Sequence, residues 1–259
     1  MLSSEITPLI LTYNEAPNIR RNLQSLTWAK SIVVIDSFST DETLEILDSY
    51  PQVQIFQRRF DSFAAQCNYG LEKITSEWVL SLDADYVLTD ELINEIIALP
   101  IEPDVHSYSF RFKYCIFGKP LRGTLLPPRN VLYRREKAIY KDDGHAHRVW
   151  VDGNSRMLSA YIHHDDRKPL SRWLWAQDRY MLIEAKKLLE TPKSELSFSD
   201  RIRKQIILAP FIILIYCLIV KGGILDGWHG WYYAFQRVLA EIMLAIRLLE
   251  YKKLNKLDI

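Results

Sequence analysis

Short apolar runs and amphipathic segments alternate over the first hundred residues of the chain. Four runs rich in Val, Ile and Leu predict buried strands: "ITPLILTY", "SIVVID", "VQIFQ" and "WVLSLDA". The segments between them carry apolar residues at helical spacing, and Ser39 three residues before Glu42 is the arrangement of a capping box that would open the second helix. This alternation predicts an α/β fold with a parallel sheet covered by helices on both faces.

The pattern changes after residue 100. "HSYSFRFKYCIF" alternates and is aromatic, which predicts an antiparallel or edge strand, and the Gly and Pro residues of "GKPLRGTLLPPRN" predict a loop. The segments that follow are dense in His and Asp. They hold four of the six histidines, His145, His147, His163 and His164. Their spacing matches no common structural zinc pattern and no cysteine lies among them, so a zinc site is disfavoured.

The C-terminal third is helical and strongly apolar. "KPLSRWLWAQDRYMLIEAKKLLE" predicts a long amphipathic helix, and residues 206–220 are fifteen uncharged residues between Lys204 and Lys221. A membrane-spanning helix needs about twenty. Basic residues before this run and Trp and Tyr residues after it are typical of a segment that lies in a membrane interface. A buried helix, an oligomer interface and a true span are the alternatives.

Composition narrows the class of protein. The 259 residues fit one large domain or one domain with an appendage. Lys and Arg total 33 against 32 Asp and Glu, a balance that argues against a nucleic-acid binder. Three widely separated cysteines predict buried, reduced thiols of a cytosolic protein, and the first residues do not have the pattern of a secretory signal peptide.

Polar residues follow three of the predicted strands: Thr12-Tyr13-Asn14-Glu15, then Asp36, then Asp83-Ala84-Asp85. In parallel sheets ligands bind beyond the carboxyl ends of the strands. Asp83 and Asp85 point to the same side of an extended chain, where two carboxylates repel unless a proton or cation lies beside them. Mg²⁺ or Mn²⁺ with a substrate diphosphate fits this arrangement. Helix capping is the alternative, although we expect the next helix to begin later, at Thr89.

The sequence contains no Gly-rich phosphate-binding motif of the P-loop or dinucleotide type, which disfavours P-loop NTPases and dinucleotide oxidoreductases. Instead, "LILTYNEAPNI", "VVIDSFSTDET" and "WVLSLDAD", in this order, resemble the opening of family 2 glycosyltransferases. The resemblance is closest to small bacterial enzymes that glycosylate envelope glycans, such as lipopolysaccharide core β-glucosyltransferases.

The resemblance implies a GT-A fold, a Rossmann-like, mostly parallel sheet flanked by helices, over residues 1–167. Within it, about 1–100 would form the nucleotide-binding half and about 101–167 the acceptor half. Residues 168–259 would form a helical extension at the membrane interface.

The resemblance also implies roles for individual residues. Thr12, Tyr13 and Glu15 would contact the base and ribose of a nucleotide sugar, and Asp36 would read the base. Asp83 and Asp85 match the D-x-D signature.

Asp85 would be the direct ligand of Mg²⁺ or Mn²⁺, and Asp83 would lie nearer the ribose or sugar. His164 would return to the metal, with a solvated turn as the alternative. Gln66 and Asn68 would lie on the donor side, with an ordinary position on a helix surface as the alternative.

The sequence does not decide which residue is the general base, because Asp142 and Asp143 stand where such enzymes usually have a Glu-Asp pair. Asp143 fits the expected location best, with Asp142, His147 and His145 as alternatives. Arg129 or Arg148 could neutralise a departing diphosphate.

The function we expect is inverting, metal-dependent transfer of a sugar from a UDP-sugar, by analogy UDP-glucose. The acceptor would be a lipid-linked or lipopolysaccharide-type envelope glycan, met by a peripheral or monotopic protein on the cytoplasmic face of the inner membrane. One alternative is a non-catalytic, membrane-associated protein that binds nucleotide sugars. Another is a sugar nucleotidyltransferase, which would need a Gly-rich, basic loop after the first strand.

Overall fold

The computed structural model describes residues 5–100, 102–143 and 146–254, with the side chains of these residues except 142–148 and 254. The chain divides into two compact units. The first comprises residues 1–120 and 125–168, and the second residues 121–124 and 169–259.

The first unit is built on a mixed sheet. Its strands are β1 (Ile6–Thr12), β2 (Ile32–Asp36), β3 (Val53–Gln57), β4 (Trp78–Asp83), β5 (Tyr86–Leu88), β6 (Val105–Ile116), β7 (Lys119–Pro120), β8 (Arg129–Arg134) and β11 (Asn154–His164). Their order is β3-β2-β1-β4-β8-β6-β11-β5, with β7 paired to β6. Strands β9 (Ala138–Asp143) and β10 (Ala146–Val151) form a separate antiparallel pair.

The neighbouring strands β3, β2, β1 and β4 of the sheet run parallel. β1 lies between β2 and β4 and is parallel to both, and β3 is parallel to β2. The predicted parallel α/β arrangement is therefore confirmed. β6, the segment "VHSYSFRFKYCI", is antiparallel to β8 but also pairs in parallel with β11. The antiparallel pairing was expected, but an edge position is wrong because β11 covers the other side of β6.

Among the described residues of this unit there are four α-helices, α1 (Ala16–Gln24), α2 (Thr43–Asp48), α3 (Phe63–Lys73) and α4 (Asp90–Ile97), and a 3₁₀ turn at Arg135–Lys137. The predicted capping box is wrong, since α2 begins at Thr43 and the Ser39 hydroxyl donates to Asp36 instead. Helix α4 begins after Thr89, as expected, and the Thr89 side chain accepts from the Leu92 N–H.

Helices cover both faces of the sheet, and this explains the continuous apolar runs. In β1, Ile10 packs with Leu23 of α1 in one buried cluster, while its neighbour Leu9 packs with Leu71 of α3 in another. Both faces of β1 are thus buried, which is why the consecutive residues Leu9 and Ile10 are both apolar. The three cysteines are buried and free, as predicted.

The second unit is helical. It contains α5 (Leu170–Glu190), α6 (Phe198–Lys204), α7 (Leu208–Ile215), a π-helical turn at Tyr216–Val220, a 3₁₀ turn at Gly223–Asp226 and α8 (Trp228–Leu254). Arg203 of α6 joins Glu184 of α5 (3.3 Å) and Glu241 of α8 (2.8 Å). Within the described residues, no helix is long and apolar enough to cross a membrane.

Glu95 of α4 supports an irregularity in β11, whose register shifts between Met157 and Tyr161. Its carboxylate accepts from the Ser159 N–H (2.9 Å), the Ser159 hydroxyl (2.8 Å) and the Ala160 N–H (2.9 Å). Burial raises the pKa of Glu95 and these hydrogen bonds lower it, with a net shift downward. The stabilisation is therefore present above the ordinary carboxyl pKa and is lost as the pH falls below it.

We predict that Glu95→Gln lowers the free energy of unfolding by about 1 kcal/mol at pH 7. The amide keeps one oxygen, and its NH₂ group cannot accept the hydrogen bonds of the other. The loss should shrink at pH 4, because the wild-type carboxylate is there partly protonated in the unfolded chain and folding must first remove that proton. Urea denaturation at both pH values measures it. Asn94→Ala, at an exposed position of the same helix, is the control and should change stability by less than about 0.5 kcal/mol. An equal effect of both variants would contradict the role of Glu95.

Candidate functional site

The loops that follow β1 and β2 are fastened to each other. The Asn14 N–H donates to the Ser39 hydroxyl (2.9 Å), and the Asn14 side-chain oxygen accepts from the Thr40 N–H (2.8 Å). The Glu15 N–H donates to the Thr43 hydroxyl (2.8 Å). These bonds fix the geometry of the sheet edge at which ligands of parallel sheets bind.

Asp36 is the last residue of β2 at this edge and is completely buried. Its carboxylate accepts from the Thr12 hydroxyl (2.8 Å), from the Ser39 N–H (2.9 Å) and from the Ser39 hydroxyl (2.5 Å). Asp36 therefore shapes the turn after β2. Thr12 is buried beside it, whereas the Tyr13 side chain is exposed. The predicted contacts of these residues with a nucleotide stay predictions.

The Asp-Ala-Asp pair ends β4 in the middle of the sheet, where Asp83 pairs in register with Leu11 of β1. Ala84 is buried, and an Asp85 carboxylate oxygen lies 3.1 Å from the His164 Nε2. The two residues are far apart in sequence and meet because β11 pairs with β5, with His164 opposite Tyr86. The structure thus brings two of the three predicted metal ligands into contact.

Asp85 and His164 each shift the pKa of the other. Burial lowers the pKa of His164 and the Asp85 carboxylate raises it, with a net shift upward. Burial raises the pKa of Asp85 and His164 lowers it, with a net shift downward. The His164 ring is held between Tyr86 and Tyr114, with ring centroids 5.3 Å and 4.8 Å away.

This pair suits a divalent cation. The second carboxylate oxygen of Asp85 and the Nδ1 of His164 are buried without a hydrogen-bond partner. In the described part of the chain, no group of three His, Cys, Asp or Glu side chains is arranged to hold a metal ion. One or two protein ligands are enough for Mg²⁺ when phosphate and water oxygens complete the shell. The residues present therefore fit the predicted ion when it arrives with a diphosphate.

Glu15 forms a part-buried ion pair that sequence reasoning missed. Its carboxylate lies 2.6 Å from the Lys168 Nζ and accepts from the Asn18 amide (2.9 Å). Burial raises the pKa of Glu15 to about 7, against the lowering effect of the Lys168 charge. The same Asn18 amide donates to Asp166 (2.9 Å). These bonds join the segment after β11 to the start of α1.

Asp165, which the sequence did not indicate either, holds the segment after β11 to Asp85 and Arg21. Its N–H donates to the Asp85 carbonyl (2.9 Å), and its carboxylate accepts from Arg167 (2.8 Å) and lies 3.4 Å from Arg21. The only sequence signal for these residues was the charge density of "HHDDRK" at a strand end. Their partners could not be named without the register of β11.

Gln66 and Asn68 of α3 are occupied by the scaffold. The Gln66 amide donates to the Ser37 hydroxyl (3.0 Å) and to the Arg58 carbonyl (3.0 Å). The Asn68 amide donates to the Tyr140 carbonyl (3.0 Å) and accepts from its N–H (3.0 Å). Both side chains hold α3 to neighbouring segments, and their predicted donor contacts stay predictions.

The backbones of three candidate bases, Asp142, Asp143 and His147, lie on the paired strands β9 and β10. Asp143 pairs in backbone register with Ala146, and Asp142 with His147. The side chains of Asp142, Asp143, His147 and Arg148, and all of His145, lie outside the described part of the structure. Arg129 is exposed at the start of β8. The choice of base stays as the sequence left it.

Comparisons with known proteins indicate the family and the fold of the chain. Residues 9–151 match the family model described as glycosyl transferase family 2. The SPbeta prophage-derived glycosyltransferase SunS of Bacillus subtilis is 36% identical over 89 residues, which are 33% of this chain and 21% of that protein. An uncharacterized glycosyltransferase of Rickettsia bellii is 32% identical over 97 residues, 37% of this chain and 33% of the relative. The chain thus matches a fifth to a third of the length of these relatives.

A solved structure of similar architecture is that of S. aureus TarS 1–349 in complex with UDP-GlcNAc. It matches with a TM-score of 0.52 and 15% identity, covering 96% of this chain and 91% of that chain. At this identity the likeness shows a shared fold. Together with the strand order, it confirms the GT-A fold that the motifs implied.

We predict that Lys168→Met destabilises the protein more at high pH than at low pH. The pKa of Glu15 rises from its ordinary value of 4.5 to about 7 on folding, so its charge opposes folding increasingly as the pH rises through this window. Without Lys168 the Glu15 carboxylate has no neighbouring cation, so the free energy of unfolding should fall by about 2 kcal/mol at pH 8. It should be smaller at pH 5.5.

Urea denaturation at both pH values measures the difference. The matched control is Lys186→Met, which removes the exposed pair of Lys186 and Glu190 (3.8 Å) and should cost less than about 0.5 kcal/mol at either pH. A Lys168→Met effect that is independent of pH would contradict the assignment.

Proposed function

The chain belongs to glycosyl transferase family 2, and from this premise we propose that it transfers a sugar from a UDP-sugar to a hydroxyl group of a glycan acceptor. The observation that carries the proposal is the contact of Asp85 with His164 (3.1 Å) at the carboxyl edge of the sheet. Both residues keep a buried atom without a partner there. TarS, which shares the fold, has been solved with UDP-GlcNAc and with UDP, which supports a uridine nucleotide as the donor carrier.

The metal in this proposal is Mg²⁺ or Mn²⁺, which Asp85 and His164 would hold, with Asp83 nearer the ribose or sugar. Such an ion supplies positive charge against a leaving diphosphate. The chain itself orients the donor: Asp165 and Lys168 fasten the segment that carries His164 to Asp85 and Glu15. This rigidity holds ligand groups in place before the substrate binds.

The chemical step we propose is a single displacement with inversion. An acceptor hydroxyl attacks the anomeric carbon, the bond to the diphosphate breaks, and a base on the β9–β10 hairpin takes the hydroxyl proton. Asp143, Asp142 and His147 are the candidates that the sequence offers. UDP-glucose is the donor we would test first, by analogy with envelope-glycan enzymes.

The second unit supports a membrane-surface acceptor. Its residues Ile207, Phe211, Ile215 and Leu225 are each at least 60% exposed. The unit carries 15 Lys and Arg against 9 Asp and Glu, a net +6, whereas the first unit has 18 against 23, a net −5. An apolar face on a basic unit suits the interface of an anionic bilayer. We therefore propose a lipid-linked envelope glycan as acceptor, on the cytoplasmic face of the inner membrane.

We predict that UDP binds with an affinity that depends on Mn²⁺ and that Asp85→Ala removes this dependence. The affinity for UDP in the presence of Mn²⁺ should fall at least about tenfold in this variant. Loss of a residue that only hydrogen-bonds to a metal ligand already costs about that much, and Asp85 is proposed as a direct ligand. Calorimetric titration of UDP, with Mn²⁺ and with a chelator, measures it. Asp90→Ala, which removes a carboxylate at an exposed position five residues later, is the control and should bind like the wild type.

Equal UDP binding with and without metal would refute the metal part of the proposal. Absence of any UDP binding would refute the donor. Release of UDP from UDP-glucose and its relatives then separates an enzyme from a non-catalytic binding protein.

We predict that the protein binds vesicles of phosphatidylcholine and phosphatidylglycerol and that Phe211→Glu with Ile215→Glu weakens this binding at least about tenfold, since burial of each apolar side chain is worth about 1.5–3 kcal/mol. Vesicle sedimentation measures it. The control is Ile97→Glu with Met157→Glu, two exposed apolar residues of the first unit. A wild type that ignores vesicles and instead dimerises would identify the apolar face as a protein interface.

A further inference from the structure

Phe38, in the turn after β2, has an unusual backbone and an unusual exposure. Its φ is +61°, in the left-handed region, and its side chain is 48% exposed. A bulky side chain in this region is strained, because the Cβ crowds the following carbonyl. An exposed ring gains little from burial in return. Folding stability alone would favour Gly or Asn at this position.

The turn that holds Phe38 is fixed on both sides. The Ser37 N–H donates to the Thr12 carbonyl (2.9 Å), and Ser39 donates through its N–H (2.9 Å) and hydroxyl (2.5 Å) to the Asp36 carboxylate. Strained residues persist when their surroundings determine the backbone in this way, and they cluster at ligand sites.

Other non-glycine residues with positive φ in the first unit have local explanations. Asn14 (φ 55°) is of a type that tolerates the left-handed region. Phe117 (φ 49°) is followed by Gly118 (φ 84°) in the two-residue turn between β6 and β7, where a type I′ hairpin requires positive φ at both positions. Phe38 leads from a strand towards α2, where no hairpin imposes its conformation.

The position of Phe38 indicates what its ring could contact. It follows Asp36 at the edge where the donor is proposed to bind, and the Asp36 oxygens are engaged in building the turn. Tyr13, on the loop tied to this turn through Asn14 and Ser39, is similarly exposed at 46%. Flat nucleobases stack on such aromatic side chains.

Resting on the proposed function, we infer that Phe38 is a donor-binding residue whose ring stacks on the nucleobase, and that Asp36 positions it by building the strained turn. The turn then trades folding stability for a preformed platform. Removal of the ring should weaken binding of the base while it relieves the backbone.

The test uses Phe38→Asn, because Asn tolerates the left-handed backbone but cannot stack as a ring does. We expect UDP affinity in Mn²⁺ to fall about tenfold, within the range for loss of one stacked base. Affinity for inorganic diphosphate, which has no base, should change less than about twofold. The melting temperature should rise by about 2–4 °C, because strain is relieved. Phe38→Trp, which keeps a ring, should retain UDP binding.

Phe117→Asn is the matched control, because it also relieves positive φ at an exposed Phe (58%). Phe117 follows β6, four strands from β2 in the sheet order, or about 19 Å at ordinary strand spacing. It should leave UDP affinity unchanged.

If Phe38→Asn binds UDP as the wild type does, or loses UDP and diphosphate equally, the stacking role is refuted while the proposed function stands. If the wild type binds diphosphate but neither UDP nor any other nucleoside diphosphate, the stacking role and the UDP-sugar donor both fall. Failure of the wild type to bind diphosphate as well removes the proposed site altogether.

Discussion

The hydrogen bond between Asp85 and His164 (3.1 Å) depends on the pairing of the strands from β4 through β8, β6 and β11 to β5. Asp85 follows β4 by local sequence alone. His164 reaches it only because β11 runs parallel to β6 and antiparallel to the three-residue strand β5. Once this register is set, the next four residues along the chain fall beside the loops after β1 and β4. The site is therefore a consequence of strand pairing between segments that are far apart in sequence.

Most polar side chains near the site already satisfy one another. The Asp36 carboxylate accepts hydrogen bonds from Thr12 and Ser39. The Glu15 carboxylate pairs with Lys168 and accepts a hydrogen bond from Asn18. Such networks cost conformational freedom at folding, so little reorganisation remains to be made when a ligand binds. Within the described residues, the unpartnered buried atoms of Asp85 and His164 remain for a donor, and the exposed ring of Phe38 lies in the turn at the end of β2. This division suits a ligand with a charged diphosphate at one end and a flat base at the other.

The sequence was informative where structure is determined locally. Buried parallel strands, the Asp83–Asp85 pair and the start of α4 at Thr89 all follow from runs and spacings of a few residues. The capping box at Ser39 failed because the same hydroxyl had a competing acceptor, Asp36, which lies three residues earlier and is held in place by Thr12. Ser side chains serve turns and helix caps by the same hydrogen bond, so the local pattern could not decide between them.

The functional partners of Glu15 and Asp85 could not be read from the sequence, because Lys168 and His164 become neighbours only through the register of β11. β5 was missed because three residues are too few to show a period.

Charge distribution connects the two units to the proposed acceptor. A net charge of +1 for the whole chain conceals +6 in the second unit and −5 in the first. An anionic bilayer would attract the second unit and repel the first, and each force fades within about 8 Å at physiological salt. In the proposed membrane association, electrostatics would select the unit that meets the bilayer, and the exposed Ile and Phe side chains of α7 would supply contact that salt does not screen. Raised salt should accordingly weaken vesicle binding without abolishing it, whereas a purely electrostatic association would disappear.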